Sequence, residues 1–384
     1  MARHPVLASI TPIGWTLLLG GGFTAWIGWA EGWLEFRALA TMAAVVLLVA
    51  ALTVLGRREH EVLLELHKPR VQAGDEALGR VLVTAAGGKA SGATTMEFPV
   101  GKAVASFRVG PLGADDEHEE MFTIPTRRRG LITLGPVRSV QVDPIGAMSR
   151  QKVLAPATEL YIHPRITHVE AGAVGALRDV EGITTSNLSS SDVSFHALRE
   201  YVPGDDRRSI HWRTTARTGK LMVRQFEETM RAHLLVLLST VRADYATEDD
   251  FELAVSVVGS LAASALREDR QVSVHTSTGE LRFPNTLGML DRLSGVEMSD
   301  RGLSLRQMAA KHGSIPGLSV AGFITGSSEP MELRAAQLAL APGIYPFAVR
   351  CAASAGLTRR RVGDLVILDI AGLGDLRPAV GSLA

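Results

Sequence analysis

Two long stretches without a charged residue, both near the N-terminus, constrain this chain more than any other feature. The first, residues 13–30, reads IGWTLLLGGGFTAWIGWA, and the second, residues 38–55, reads ALATMAAVVLLVAALTVL. Each is 18 residues long, which is close to the length that an α-helix needs to cross the hydrocarbon core of a bilayer. We therefore predict a hairpin of two transmembrane helices.

The basic residues around this hairpin predict its orientation. The connecting loop holds only Arg37, whereas more basic residues flank the two outer ends: Arg3, Arg57, Arg58, Lys68 and Arg70. Because lysine and arginine near membrane helices are retained on the cytoplasmic side, we predict that both termini and the body of the chain are cytoplasmic, at the plasma or inner membrane. A cleaved secretory signal is the alternative, and the second apolar stretch argues against it.

The rest of the chain changes its hydrophobic pattern twice. Short alternating runs such as VLLELH, GRVLVTA and GLITLG, separated by turn residues, predict an antiparallel β-sandwich-like domain. Further on, apolar runs such as HLLVLL, QVSVHTS and LSVAGFIT alternate with helical stretches, which predicts an α/β domain with a mostly parallel sheet. The first of these helices should pack through one apolar stripe at spacings of three and four: Phe251, Val255, Val258 and Ala262.

These patterns predict a multidomain fold in four segments. Residues 1–58 form the transmembrane hairpin and residues 59–165 the all-β domain. Residues 166–232 form a segment of loop plus charged strands, and residues 233–384 form the α/β domain.

Composition and motifs narrow the chemistry. Lysine plus arginine equals aspartate plus glutamate at 40 each, so no overall charge draws the chain to nucleic acid. Cys351 is the only cysteine, which excludes an intrachain disulfide and a cysteine-rich metal site. The run TGKL at 218–221 resembles the end of a phosphate loop, but Leu221 replaces the hydroxyl residue that binds magnesium. We predict no cofactor.

The most charged segment lies between residues 199 and 224. One interpretation is a surface that receives an acidic protein, because guanidinium groups bind carboxylates in bidentate pairs. Another is an internal ion-pair network that fixes a turn, and a third is a nucleic-acid site. The candidate partner-binding residues are Arg199, Asp205, Asp206, Arg207, Arg208, Arg213, Arg217 and Lys220.

Alternation along residues 209–213 predicts an extended strand in this segment. Ile210 and Trp212 would then share one face of the strand, and we predict that both are buried. Arg207 and Arg208 follow the turn predicted at residues 203–206, and we predict that at least one of their side chains reaches water.

The run REYVPGDDRRSIHWRTTARTGKLMVRQFE, which begins at residue 199, closely resembles the bacterial family named domain of unknown function 58. The runs RRGLITLGPV, DPIGAMSR and YIHPRI also resemble the β-domain of that family, so the resemblance covers nearly the whole chain. It implies a C-terminal α/β domain of the Rossmann-like, von Willebrand factor A-like type, and partnership with MoxR-type AAA+ ATPases and transglutaminase-like membrane proteins. It also implies a set of structural motif residues: Tyr201, Pro203, Gly204, Ile210 and Trp212.

Better known von Willebrand factor A domains carry a metal-dependent adhesion site, with an Asp-x-Ser-x-Ser run after the first strand. This chain departs from that pattern, because Leu238 stands at the aspartate position and is followed by Ser239 and Thr240. With Arg242 close by, we expect no magnesium there. The acidic residues that follow are interpreted as helix N-terminal caps: Asp244, Asp249 and Asp250.

From these features we expect a membrane-anchored protein-interaction module without catalytic activity, acting in assembly, maturation or cell-envelope processes. One alternative is a hydrolase or transferase whose site is assembled from distant residues. The other is nucleic-acid binding through the cluster at 199–224. Titratable groups with shifted pKa values in a deep pocket would favour the enzyme, and a shallow charged face would favour the module.

Overall fold

The computed structural model describes residues 9–55, 60–88, 90–114, 116–169, 193–203, 205–228, 233–354 and 356–383. The chain divides into two compact units, Met1–His163 and Pro164–Ala384. The sequence predicts four segments, a finer division than these two units, and that finer division stays a prediction. The loop predicted at 169–192 lies, apart from Val169, outside the described residues.

The first unit begins with two apolar helices that pack against each other, α1 (Pro12–Ala30) and α2 (Leu34–Leu55). Within the described residues, one helix is long and apolar enough to cross a membrane, over Leu34–Val54 with a mean hydropathy of 2.2. The prediction of two such helices was therefore wrong for α1. Its five glycines and three tryptophans contribute little hydropathy, although the helix carries no charged residue.

The described residues of the first unit then form two β-sheets. One sheet has the strand order β1-β3-β6, and the other has the order β2-β10-β7-β4-β8-β9 with β5 beside β4. Among the strands described in this unit, only β2 and β10 pair in parallel, so the prediction of antiparallel strands is confirmed. The strands are β1 (His60–Leu66), β2 (Arg70–Gln72), β3 (Ala77–Ala85), β4 (Thr94–Val100), β5 (Ala103–Val109), β6 (Glu117–Ile124), β7 (Gly130–Leu134), β8 (Val137–Val142), β9 (Ser149–Ala155) and β10 (Thr158–His163).

An apolar core lies between these two sheets. Val81 and Val83 of β3 belong to the same buried cluster as Met96 and Phe98 of β4. The rings of Phe98 and Phe122 are tilted against each other with centroids 5.0 Å apart. Burial at every second position of these strands is what the sequence alternation predicts, because successive side chains of a strand point to opposite faces.

The second unit begins with an antiparallel hairpin of two strands and continues into a larger α/β sheet. The hairpin consists of β11 (Val193–Glu200), α3 (Trp212–Thr218) and β12 (Met222–Glu228). The α/β part consists of β13 (His233–Leu238), α4 (Glu248–Arg267), β14 (Val272–Thr276), β15 (Gly279–Leu281), α5 (Thr286–Ser294), α6 (Leu305–His312), β16 (Leu318–Thr325), α7 (Pro330–Gln337), β17 (Tyr345–Cys351), β18 (Thr358–Val362), β19 (Leu365–Ile370) and α8 (Leu376–Gly381).

The larger sheet has the strand order β15-β14-β13-β16-β17-β19-β18. The five central strands, β14, β13, β16, β17 and β19, run parallel to one another. The two edge strands, β15 and β18, run antiparallel to their neighbours. The chain goes from β13 to one side and returns to β16 on the other, so the carboxyl ends of β13 and β16 lie at a topological switch point. The predicted α/β domain with a mostly parallel sheet is confirmed.

Helices cover both faces of this sheet, which explains why β13 is apolar at every position after His233. Leu234, Val236 and Leu238 pack into a core with α4 and α5, whereas Leu235 and Leu237 pack into a second core with α6 and α7. The predicted stripe of α4 is confirmed, because its residues are buried in the first core: Phe251, Val255, Val258 and Ala262.

Candidate functional site

The hairpin tip, which we define as residues 201–221 between β11 and β12, contains most of the charged residues singled out from the sequence. Backbone hydrogen bonds hold its two ends together, from Tyr201 N–H to the Leu221 carbonyl and from His211 N–H to the Met222 carbonyl, both at 2.8 Å. Ile210 forms an isolated β-bridge with Val223 and is buried. Pro203 is exposed, and Gly204 lies outside the described residues.

One bidentate ion pair fixes the first turn of the tip. Two guanidinium nitrogens of Arg199 donate to the two carboxylate oxygens of Asp205, each at 2.7 Å. The same carboxylate accepts from the Val202 N–H at 2.9 Å. The hydrogen bond from Arg199, followed by that from Val202, lowers the pKa of Asp205 below its usual value. These two charges therefore serve the internal ion-pair role that was one of the sequence interpretations.

Two further charged residues of the cluster also have partners inside the hairpin. The Lys220 ammonium donates to the Glu200 carboxylate at 2.5 Å across the base of the tip. The Asp206 carboxylate accepts from the Arg208 N–H at 2.9 Å and caps a single turn of 3-10 helix at Arg207–Ser209. The acidic side chains of the tip are thus engaged with groups close to them in sequence.

Trp212 is 65% exposed and opens α3, so the prediction that it is buried in an extended strand was wrong. Local capping explains the helix. The His211 ring accepts from the Thr214 N–H at 3.2 Å, and Gly219 ends the helix in the left-handed region with φ of 72°. Ile210 is buried as predicted, because it precedes this cap and still follows the edge of β12.

Four arginines of the tip remain exposed: Arg207, Arg208, Arg213 and Arg217. Among the described residues, no carboxylate forms an ion pair with any of them. Two apolar side chains that were not predicted to matter are exposed on the same tip, Val202 at 56% and Leu221 at 43%. With Trp212 they give a surface that combines free guanidinium groups with apolar and aromatic area.

At the position of the adhesion-site motif, Ser239 and Thr240 form hydrogen bonds with other residues of the same domain. Leu238 is in the core, and the buried Ser239 hydroxyl donates to the Asp244 carboxylate. Thr240 N–H donates to the Ser277 hydroxyl at 3.1 Å. The structure describes no group of three or more His, Cys, Asp or Glu side chains that could hold a metal ion, within the residues that it covers.

The three acidic residues interpreted as caps have different roles. Asp250 caps α4 as predicted, through a capping box with Thr247. Asp244 instead lines a polar cavity of about 300 Å³ at the carboxyl end of the sheet, together with Arg306, Ser328 and Glu332. Asp249 lies exposed in the first turn of α4, where a carboxylate complements the helix dipole.

Residues 197–294 match the family model described as Protein of unknown function DUF58. The match covers about a quarter of the chain and shows that this segment is similar to the DUF58 family. It begins in β11, takes in the whole hairpin tip and extends to the end of α5. The von Willebrand factor A likeness and the MoxR association, which only the resemblance implies, stay proposals.

One curated relative also matches this chain, over a short region. The uncharacterized protein YeaD of Bacillus subtilis (strain 168) is 35% identical over 71 residues, which is 18% of this chain. The chain spans 17% of the length of that relative.

Solved structures give low similarity. The CARDB domain of the PF1109 protein from Pyrococcus furiosus is 14% identical over 27% of this chain and 87% of its own, with a TM-score of 0.21. The sporulation control protein Spo0M from Bacillus subtilis is 19% identical over 32% of this chain and 55% of its own, with a TM-score of 0.18. TM-scores of this size do not establish a shared fold.

Proposed function

We propose that this chain is a membrane-anchored protein-interaction module that binds an acidic protein partner through the hairpin tip. The observation that carries the proposal is the exposed indole of Trp212 on the same hairpin tip as four exposed arginines, which have no ion-pair partner in the described part of the chain. Tryptophan and arginine are the residue types most enriched among those that dominate binding energy at protein interfaces.

The charge of the tip supports an acidic partner. Asp205 pairs with Arg199 and Asp206 accepts from a backbone N–H, and in the described part of the chain neither forms an ion pair with the four exposed arginines. A guanidinium group is planar and offers paired N–H donors, which suit a carboxylate better than the point charge of a lysine does. Bidentate pairing to glutamates or aspartates would also fix the orientation of the partner.

The rigidity of the tip supports the same proposal. Its ends are tied by the Tyr201 and His211 backbone hydrogen bonds, and its first turn is tied by the Arg199–Asp205 pair. A surface that is already ordered loses less conformational entropy on binding, so more of the contact energy appears as affinity. Trp212 stands on the first turn of α3, which is capped at both ends.

The family resemblance supplies the kind of partner. We propose a MoxR-type AAA+ ATPase, in a process of assembly, maturation or cell-envelope maintenance, with no catalytic activity in this chain. The α/β sheet, with β13 at its switch point and helices on both faces, supports a von Willebrand factor A-like identity for the second unit. The helix Leu34–Val54 supports an anchor in the membrane, and the basic residues after it support a cytoplasmic body.

The test compares two variants of the full chain in the membranes of cells that express it. Trp212→Ala and the double variant Arg207→Ala with Arg208→Ala are crosslinked in place, and captured MoxR-type ATPase is quantified by mass spectrometry. We expect each variant to reduce capture by about tenfold or more, because loss of a central anchor costs about 2 kcal/mol or more of binding energy.

Met121→Ala is the matched control, since Met121 is also a large exposed apolar residue but lies on β6 of the first unit. Capture by this variant should equal that of the unchanged chain. Undiminished capture by the Trp212 and arginine variants would reject the tip as the binding surface. Crosslinking of the tip to RNA or DNA in place of protein would favour the nucleic-acid alternative.

A further inference from the structure

The turn between β8 and β9, residues 143–148, is bound directly to the start of α1. Thr11 N–H donates to the Ala147 carbonyl at 3.1 Å, and the Thr11 hydroxyl donates to the Gly146 carbonyl at 2.6 Å. Ile10 and Met148 form an antiparallel β-bridge beside them. Main-chain contacts of this kind fix the turn against the end of the helix pair.

The approach is so close that it requires a glycine. A Cβ atom at Gly14 would lie 2.1 Å from the Ala147 carbonyl oxygen, far inside van der Waals contact. The turn therefore packs on the backbone of α1 and not on the ends of long side chains. Its position relative to the helix pair is determined by the fold.

The contacts with α2 give the level of the turn along the helix pair. Ala147 and Met148 form one buried cluster with Ala50 and Val54 of α2. The candidate membrane span runs over Leu34–Val54, 21 residues, so Val54 marks its end and Ala50 lies one helical turn inside. A span of this length matches about 30 Å of hydrocarbon. When α2 crosses a bilayer, the turn is consequently at the boundary between acyl chains and headgroups.

The outer surface of the turn is apolar at that level. Ile145 is 53% exposed and Val142 is 57% exposed, and Pro144 between them is exposed as well. Ile13 of α1, also exposed, approaches the Gly146 side of the turn. Soluble surfaces tolerate single exposed aliphatic residues, but these side chains adjoin one another beside a helix that is itself apolar.

Three backbone N–H groups of the turn donate to acceptors within it. The Asp143 carboxylate accepts from the Ile145 N–H at 2.8 Å and from the Met148 N–H, and the Asp143 carbonyl accepts from the Gly146 N–H at 3.0 Å. Backbone groups without partners are strongly disfavoured away from water. The Ile145, Gly146 and Met148 N–H groups already have acceptors within the turn, so they keep their hydrogen bonds when the tip moves out of water.

We propose that the β8–β9 turn is a second membrane contact, in which Val142, Pro144 and Ile145 bury into the headgroup and acyl boundary. The exposed Arg150, two residues beyond the turn on β9, then lies where lipid phosphates are. The contact holds the β-domain at a fixed tilt on the bilayer instead of letting it swing on a flexible tether. It rests on the proposed anchoring of α2.

The experiment places one nitroxide label at a time on the full chain in vesicles of phosphatidylethanolamine and phosphatidylglycerol. The labelled positions are Ile145→Cys in the turn, Leu48→Cys inside the apolar span of α2 and Met121→Cys on β6, all of them exposed. Cys351 is buried and does not compete for the label. Electron paramagnetic resonance then measures the accessibility of each label to oxygen, which partitions into lipid, and to a water-soluble nickel chelate.

We expect the label at position 48 to favour oxygen strongly, the label at 145 to favour it at an intermediate level, and the label at 121 to favour nickel. If position 145 behaves like position 121 while position 48 reports lipid, the anchor stands and the second contact is wrong. If position 48 itself reports water, the anchor fails and the second contact fails with it.

Discussion

The imidazole ring of His275 in β14 stacks on that of His312 at the end of α6, with centroids 3.7 Å apart and planes inclined by 26°. His275 is buried, and its Nδ1 has no hydrogen-bond partner among the described residues. Burial, and next the neighbouring His312, lower the pKa of His275 to about 4. Burial also lowers the pKa values of His312 and His233. Lys311 and Glu280 are the other charged groups that act on the pair.

Acid should therefore destabilise the second unit in a defined range of pH. A histidine with a pKa of 6.5 in the unfolded chain and about 4 in the fold binds more protons when unfolded, so its contribution is complete above pH 6.5 and is lost as the pH falls toward 4. For His275 the loss amounts to about 3 kcal/mol. Hydrogen exchange of peptides from β13 and β14, corrected for intrinsic rates, measures it. His275→Gln should flatten the pH profile, with His67→Gln on an exposed histidine as the matched control, and an unaltered profile would contradict the assignment.

Substitution of Gly14 should separate the β8–β9 turn from the helices. Gly14→Ala places a methyl group on the Ala147 carbonyl oxygen, and overpacking of this kind costs about 1 to 3 kcal/mol. We expect faster hydrogen exchange in a peptide that spans the turn. Gly20→Ala is the control on the same helix, because no atom lies within 4 Å of a Cβ there. Equal exchange in the two variants would show that the close approach is unimportant.

Ile210 and Trp212 should differ sharply in their contribution to stability, although only one residue lies between them in the sequence. Ile210→Ala removes a buried side chain beside β12 and should cost about 2 to 5 kcal/mol of local stability. Trp212→Ala removes an exposed ring and should change it by less than about 0.5 kcal/mol. Exchange of the backbone amides of β12 reports both. A large loss with Trp212→Ala would mean that the ring is packed.

Asp369 should be essential to the second unit. Its buried carboxylate accepts from Arg350 at 2.6 Å, Thr358 at 2.6 Å and Arg360 at 3.1 Å. Burial raises its pKa, but these hydrogen bonds and charges outweigh burial and lower it overall, so the contribution is present at neutral pH and is lost in acid. Asp369→Ala leaves Arg350 without its carboxylate and should cost about 3 to 5 kcal/mol in thermal unfolding. Asp364→Ala, at an exposed aspartate on the preceding turn, should unfold like the unchanged chain.

The proposed cytoplasmic orientation predicts how a surface cysteine reacts. Met121→Cys should be labelled by a membrane-impermeant maleimide only after cells are permeabilised, because the proposal puts the body on the cytoplasmic side with the basic residues. The buried Cys351 should stay unlabelled in the folded chain. Labelling of Met121→Cys in intact cells would reverse the orientation.

The large elements of the fold could be predicted because burial imposes a period on the sequence. Residues 234–238 are apolar throughout because β13 is covered on both faces, and α4 shows one apolar stripe because it packs on the sheet through one side. The edge strands β15 and β18 and the short helices α5 and α6 were missed. Neither edge strand carries a fully buried residue, so its alternation is weak, and the two helices span only nine and eight residues, which gives each a short pattern.

The charged tip shows where local chemistry overrides periodicity. Residues 209–213 alternate like a strand, yet the cap formed by His211 and the left-handed Gly219 turn residues 212–218 into a helix. Both capping residues are visible in the sequence, and Gly219 in particular is a helix-ending signal. The His275–His312 stack and the partners of Asp369 could not be predicted, because they join residues distant in sequence whose contact depends on strand order.

The large sheet ends at β18 with three consecutive exposed arginines, Arg359, Arg360 and Arg361. If two molecules paired through this edge, the β18 strand of one would lie beside the β18 strand of the other. The arginines of the two strands would then face each other and repel. At the other edge, β15 has only three residues and offers little length to pair with. Under the proposed membrane anchoring, chains concentrated in the plane of a membrane can thus collide often without joining their sheets, which protects a crowded population from aggregating edge to edge.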